Sequence, residues 1–146
     1  MDTLNYDTLR LENQICFPLY AASRELIKKY KPHLDQLDLT YTQYITMILL
    51  WENKTMTVKE LGSRLYLDSG TLTPLLKKLE SKGLITRTRS MEDERNLNVS
   101  LTEQGVQMQA IAADIPAKVA QDTRLDAEDA QTLYRILYRI LSETEE

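Results

Sequence analysis

Cys16 is the one cysteine of a 146-residue chain, and its neighbours decide whether it does chemistry or only packs. Tyr20 follows it by one helical turn in "ICFPLY", and Tyr30 by about four turns. A thiol is a nucleophile only as the thiolate, which a helix N-terminus or donating phenol hydroxyls would favour. Oxidation of such a thiolate would begin at the sulfenic acid. The competing reading is packing, since a free cysteine behaves as a small hydrophobe and tyrosines often edge a core. The residues alone leave both open. A single cysteine excludes an intrachain disulfide and leaves no resolving thiol for a peroxidase cycle. With one histidine, His33, no metal-ligating cluster stands out, nor does a Gly-rich phosphate loop or a Ser-His-Asp set. No cofactor is expected.

A second chemistry lies in "LDSGTLTPLLKKLESKG". Ser69, Gly70, Thr71 and Thr73 make a small, hydroxylated helix start that can approach a DNA groove and reach phosphates or base edges. The helix dipole there favours phosphate. Pro74 offers apolar surface to a thymine methyl, and Lys77 and Lys78 suit backbone phosphates. The alternative is an ordinary amphipathic helix with two solvated lysines. Further on, Arg87 and Arg89 are spaced to share one strand face. Arg95 follows beside Glu92, Asp93 and Glu94, where Asp93 could hold it rigid for a narrow minor groove. The alternative there is a solvated charged turn.

These residues need elements to position them. Leu11, Ile15, Leu19, Ala22, Leu26 and Tyr30 recur at helical spacing, so residues 8–30 read as one helix that Pro32 ends. Pro18 conflicts with that pattern and requires a kink or a later start. Thr40 with Gln43, and Thr57 with Glu60, have capping-box form. Asp68 or Ser69 caps the next helix, with Leu72, Leu75, Leu76 and Leu79 on its apolar face, and Gly83 suits its left-handed end. After Gly83 the period becomes two. Ile85, Arg87 and Arg89, then Leu97, Val99 and Leu101, alternate as a β-hairpin. Thr102 caps a helix carrying Met108, Ile111, Ile115 and Val119, bent at Pro116. Asp126 caps a last helix with Leu133, Leu137, Ile140 and Leu141 inward.

Helix, short helix, turn, helix and hairpin, in that order, make a winged helix-turn-helix. The expected fold is mainly α with a small β-hairpin wing, one domain over 1–146. Residues 40–101 form the winged helix-turn-helix, and 8–39 and 102–146 are dimerisation helices. A single winged helix does not need such long outer helices; a homodimer does.

Composition agrees with a compact protein: 42% of residues are apolar and 27% charged. No apolar run approaches the ~18 residues of a membrane span, and the N-terminus lacks a secretory pattern, so a cytoplasmic protein is expected. The net charge of −4 conceals a division. Residues 57–100 carry eight Lys/Arg against six Asp/Glu, whereas the rest carries ten against sixteen. A locally basic segment on an acidic body can still bind phosphate.

The run "LDSGTLTPLLKKLE", followed by "GLITRTRSMEDERNLNVSLTEQG", resembles the MarR-type repressors. With "NQICFPLY" and "LDLTYTQY" it is similar to their one-cysteine branch, the organic hydroperoxide resistance regulators, to which thiol-sensing staphylococcal regulators are related. The resemblance extends from about Leu11 to Gly105 and includes the wing's Asp-x-Arg pattern as Asp93-Glu94-Arg95. It implies a reactive Cys16 hydrogen-bonded by tyrosines reaching across a dimer, at positions matching Tyr30 and Tyr41, with Tyr20 on the cysteine's own helix. It further implies a homodimeric repressor on pseudopalindromic double-stranded DNA. An organic hydroperoxide would oxidise Cys16, and a low-molecular-weight thiol could trap the sulfenate because no second cysteine exists. The apolar Ile15, Phe17 and Leu19 then fit a preference for lipid-like peroxides. A second reading within the fold is a repressor relieved by a small phenolic ligand in the dimer cleft, with Cys16 incidental. A dimerisation module without DNA would leave the hydroxyl-rich helix start and the wing arginines without purpose.

Overall fold

The computed structural model describes residues 4–89, 91 and 97–142. Two 3-10 turns, Asp7–Leu9 and Leu11–Asn13, precede α1 (Cys16–Asp35) and α2 (Tyr41–Asn53). Then follow β1 (Thr55–Thr57), α3 (Val58–Leu65), α4 (Ser69–Ser81), β2 (Ile85–Arg89) and β3 (Leu97–Leu101). The chain closes with α5 (Glu103–Ala112), α6 (Ile115–Gln121) and α7 (Ala127–Ser142). The mainly helical class and the winged helix-turn-helix are as the sequence implies. The chain divides into two compact units, Met1–Asp114 and Ile115–Glu146.

Side chains set most of the boundaries. Thr40 Oγ1 accepts from the Gln43 N–H while Gln43 Oε1 accepts from the Thr40 N–H, a complete capping box. Thr57, Asp68 and Thr102 each accept from an N–H three residues on and so start α3, α4 and α5. Asp126 does the same for α7. Gly83 takes the left-handed conformation after α4, with φ of 78°.

Of the two outcomes Pro18 allowed, the first helix takes the later start, and its expected end at Pro32 is corrected. It begins at Cys16, not residue 8, because the preceding segment turns back on itself: Asn13 Nδ2 donates to the Asp7 carbonyl and Gln14 Nε2 to that of Thr8. Pro18 thereby falls in the first turn, where its missing N–H has no intrahelical partner to lose. Pro32 does not end the helix, which runs on to Asp35. Three buried leucines, Leu34, Leu37 and Leu39, draw the chain inward there. Each is worth roughly 1.5–3 kcal/mol, enough to outweigh one lost ladder bond. The turn comes at Asp38, in the left-handed region at φ 55°.

Met47, Leu50, Leu61, Leu72, Leu76, Leu79, Leu84, Ile85 and Val99 form the winged-helix core, and all are buried. The sheet has three antiparallel strands in the order β1-β3-β2, one more than the expected hairpin. β1 is three residues long, too short for alternation to reveal it, and pairs Met56 with Val99. The helix expected after Thr102 is two helices, α5 and α6, with Pro116 in the first turn of the second. No described residue of α7 is buried; Leu133 and Ile140, expected inward, are 37% and 48% exposed. Leu137 and Leu141, also expected inward, are half-buried.

α5 belongs with the winged helix. Trp51 Nε1 donates to the Gly105 carbonyl at 2.9 Å, and a Cβ on Gly105 would run into the Leu84 carbonyl. Only glycine allows that approach. Gly105→Ala should therefore lower stability by about 1–3 kcal/mol, the usual penalty of overpacking. Urea unfolding measures this, and an unchanged midpoint would contradict the packing described.

Candidate functional site

Cys16 is the first residue of α1 and is exposed. No side chain caps that helix start, where the Phe17 N–H donates to the Gln14 carbonyl at 3.3 Å, and the helix dipole there favours negative charge. Around the sulfur, Ile15, Phe17 and Leu19 are exposed apolar side chains. Leu11, Phe17 and Pro18 line an open cavity of about 680 Å³ with Arg10, Glu12 and Gln14. Tyr20, one turn on, faces away along the helix: its hydroxyl accepts from Arg24 at 3.2 Å, and the guanidinium lies over the ring.

Tyr30 and Tyr41 come together where α1 meets α2, with ring centroids 5.0 Å apart. Tyr44 completes the cluster at 5.8 and 6.3 Å from them. Burial pushes all three phenols above the usual phenol range, and mutual repulsion adds to this for Tyr41 and Tyr44. They are held as neutral donors. Tyr44 was not singled out from the sequence, although its spacing of three from Tyr41 in "YTQY" puts both on one helical face. Cys16 is not in this cluster. Fourteen residues of continuous α1 separate it from Tyr30, which is about 21 Å of helix.

At the other pole, Ser69, Gly70, Thr71 and Pro74 are exposed at the start of α4, Thr73 is half-buried, and Lys77 and Lys78 are exposed. Asp68 Oδ1 accepts from the Thr71 N–H at 2.8 Å, and that bond holds its carboxyl below the usual range. The carboxylate thus occupies the helix start that was expected to favour phosphate. Hydroxyls and the Pro74 ring remain as the contact groups. Pro74 also has no N–H for the Gly70 carbonyl, which leaves that acceptor outside the helical ladder.

Arg87 departs from expectation. Its guanidinium pairs with Glu80 at 3.1 Å and its side chain is only 19% exposed, so it is not a free phosphate ligand. Arg89, two residues on, is exposed. Asp93 and Arg95 lie outside the described residues. Lys82 was missed by sequence reasoning. Just past α4, its ammonium donates to the Asp38 carbonyl and, at 3.2 Å, to Gln43 Oε1. It therefore joins the end of α4 to the α1–α2 turn and the α2 cap. No sequence pattern signals so distant a pairing.

Residues 28–111 match the family of SarA/Rot transcriptional regulators. The organic hydroperoxide resistance transcriptional regulator of Bacillus subtilis is 53% identical over 136 residues, covering 93% of this chain and 92% of that one. The chain is a MarR-type regulator of the organic hydroperoxide resistance branch. The regulator SarZ of Staphylococcus aureus is 45% identical over 132 residues, 90% of this chain and 89% of that one. Reduced AbfR, solved bound to DNA, superposes with a TM-score of 0.78 at 33% identity, covering 98% of this chain and 100% of that chain. These relatives are transcriptional regulators rather than enzymes. Among the described residues of this MarR-type chain, no helix is long and apolar enough to cross a membrane.

The Asp68 cap carries a pH dependence. A carboxyl with a depressed folded pKa stabilises above its unfolded value, near 3.9, and that contribution is lost as pH falls through the folded value. Asp68→Asn can still cap but does not titrate. The wild type should therefore lose more melting temperature than Asp68→Asn between about pH 6 and pH 3. Parallel losses would mean that the cap carries no such linkage.

Proposed function

We propose that the protein is a homodimeric repressor that senses organic hydroperoxides through Cys16 and then releases its operator. The observation that carries this reading is the separation along α1 of an exposed thiol, at its first residue, from Tyr30, which packs with Tyr41 and Tyr44 of α2 in a partly buried, protonated cluster. Within one chain the thiol and the phenols do not meet. In a dimer with two α1 helices side by side and opposed, the Cys16 end of each would approach the Tyr30 and Tyr41 end of the other. The names of the relatives, and the DNA-bound state of AbfR, support the same reading.

Exposed apolar side chains agree with a dimer. Leu11, Ile15 and Leu19 in the first unit, and Leu133, Ile136 and Ile140 in the second, lie open in the single chain. Monomers seldom keep such surface in water. The two recognition helices, α4 of each protomer, would enter major grooves at half-site centres about 34 Å apart on a pseudopalindrome. The wings, with Arg89 and with Arg95 held by Asp93, would reach the flanking minor grooves.

The chemistry is a two-electron oxidation. The Cys16 thiolate attacks the terminal oxygen of the hydroperoxide, the O–O bond breaks, and the alkoxide leaves and takes a proton as the alcohol. The sulfur is now a sulfenic acid. A low-molecular-weight thiol attacks that sulfur, forming a mixed disulfide and releasing water. The added bulk does not fit beside Tyr30 and Tyr41, and the dimer repacks. A second reading, a small phenolic ligand, has one observation in its favour: a cavity of about 280 Å³ where Ile27, Leu34, Leu39 and Tyr41 meet Lys28, Lys31, Asp35 and Thr40.

Cys16→Ser should bind operator as wild type does but remain bound in cumene hydroperoxide. Wild type should leave only in part with peroxide, and fully once a small thiol is added. Fluorescence anisotropy with intact mass in parallel reads both. Release of the serine variant by peroxide would end the thiol-sensor reading and favour the ligand-gated one.

A further inference from the structure

One face of β2 leaves the core in three steps. Ile85 is 1% exposed, the Arg87 side chain 19%, and Arg89 is exposed. Arg87 stands across from Val99 on β3, at the point where the hairpin departs from the helices. Glu80, near the end of α4, meets it there. Both carboxylate oxygens are taken by this one residue: Oε1 accepts from the Arg87 guanidinium and Oε2 from the Arg87 backbone N–H, each at 3.1 Å. A side chain and a main chain held together fix a strand in both position and rotation. The Arg87 Nε is buried and has no partner among the described residues, so the guanidinium is placed for Glu80 rather than for its own full satisfaction.

We propose that Glu80 and Arg87 are positioning residues for DNA binding, a strut that sets the angle of the wing to the recognition helix. α4 and the hairpin must meet one duplex at two separate grooves, and a few degrees at the base of the hairpin become ångströms at its tip. Arg87 serves binding through Glu80, and its charge is not spent on phosphate. The inference rests on the reading that the wing touches flanking DNA.

The sign of one substitution separates this from simple electrostatics. Removing a carboxylate from a protein that binds a polyanion should strengthen binding. If the strut operates, Glu80→Gln weakens it instead. The probes are a duplex selected from a random pool by the wild type, and the same duplex trimmed to the two major-groove half-sites. Glu80→Gln should bind the full duplex about ten-fold more weakly, the size of one lost charge-assisted hydrogen bond, and the trimmed duplex within about two-fold of wild type. Glu80 is 39% exposed, so the fold should survive, which a thermal melt verifies. Should that variant not fold, Arg87→Lys carries the same test. It keeps the charge but loses the fork, so a strut weakens on the full duplex while a plain phosphate ligand would not. Full-duplex binding as tight as wild type, or equal losses on both duplexes, would overturn the strut. A wild type indifferent to trimming would instead overturn the wing contact itself, and the strut with it.

Discussion

A straight helix cannot bring its own ends together. α1 holds Cys16 at its first residue and Tyr30 near its last turns, about 21 Å apart along one continuous helix. If thiol and phenols act as one site, that site needs two chains. Much else in the molecule agrees with such a requirement. The segment before α1 turns back instead of extending the helix, leaving the sulfur at an uncapped N-terminus. The apolar side chains near it face outward, and Leu133, Ile136 and Ile140 of α7 are exposed. The tyrosines, by contrast, pack ring against tilted ring and are partly buried, so their hydroxyls remain protonated donors.

A sensor of this kind must also act at a distance. Tyr41 lies in the first turn of α2, whose cap residue Gln43 shares its side-chain oxygen between the Thr40 N–H and the Lys82 ammonium. Lys82 follows directly on the recognition helix. A displacement of the tyrosine cluster thus has a short, polar and partly buried route to α4, through contacts that break or hold rather than stretch. On the far side of α4, Glu80 holds the wing. The recognition helix is gripped at one end by the sensor half and by the hairpin, while its hydroxylated start stays free for DNA.

The sequence was most readable where a side chain bonds its own neighbourhood. The caps at Thr40, Thr57, Asp68, Thr102 and Asp126 are local, and each marks its helix start correctly. Gly83 is equally local. Errors came where a distant contact overrides a nearby rule. Pro32 should stop α1, but buried leucines beyond it prevail. Arg87 has the spacing of a phosphate ligand, but Glu80, seven residues back, claims it. Lys82 gave no signal because its partners lie about forty residues away, and β1 was too short to show a period. The inward face of α7 was read as apolar, yet within the described chain it is covered only in part: Leu137 and Leu141 are half-buried while Leu133 and Ile140 stay exposed. Tyr30 and Tyr41, named together through family resemblance, do pack against each other, while their separation from Cys16 needed the structure.

The central claim, a site divided between two chains, has a direct test in mixed dimers. Only one protomer carries Cys16; its partner carries Cys16→Ser. Tyr30→Phe and Tyr41→Phe are introduced either on the chain with the sulfur or on the chain without it. The rate of sulfenic acid formation under cumene hydroperoxide is then followed by trapping and intact mass. The account predicts slowed oxidation when the tyrosine changes lie on the serine chain, and little change when they lie on the sulfur's own chain. The opposite pattern, or equal rates in both dimers, would contradict it.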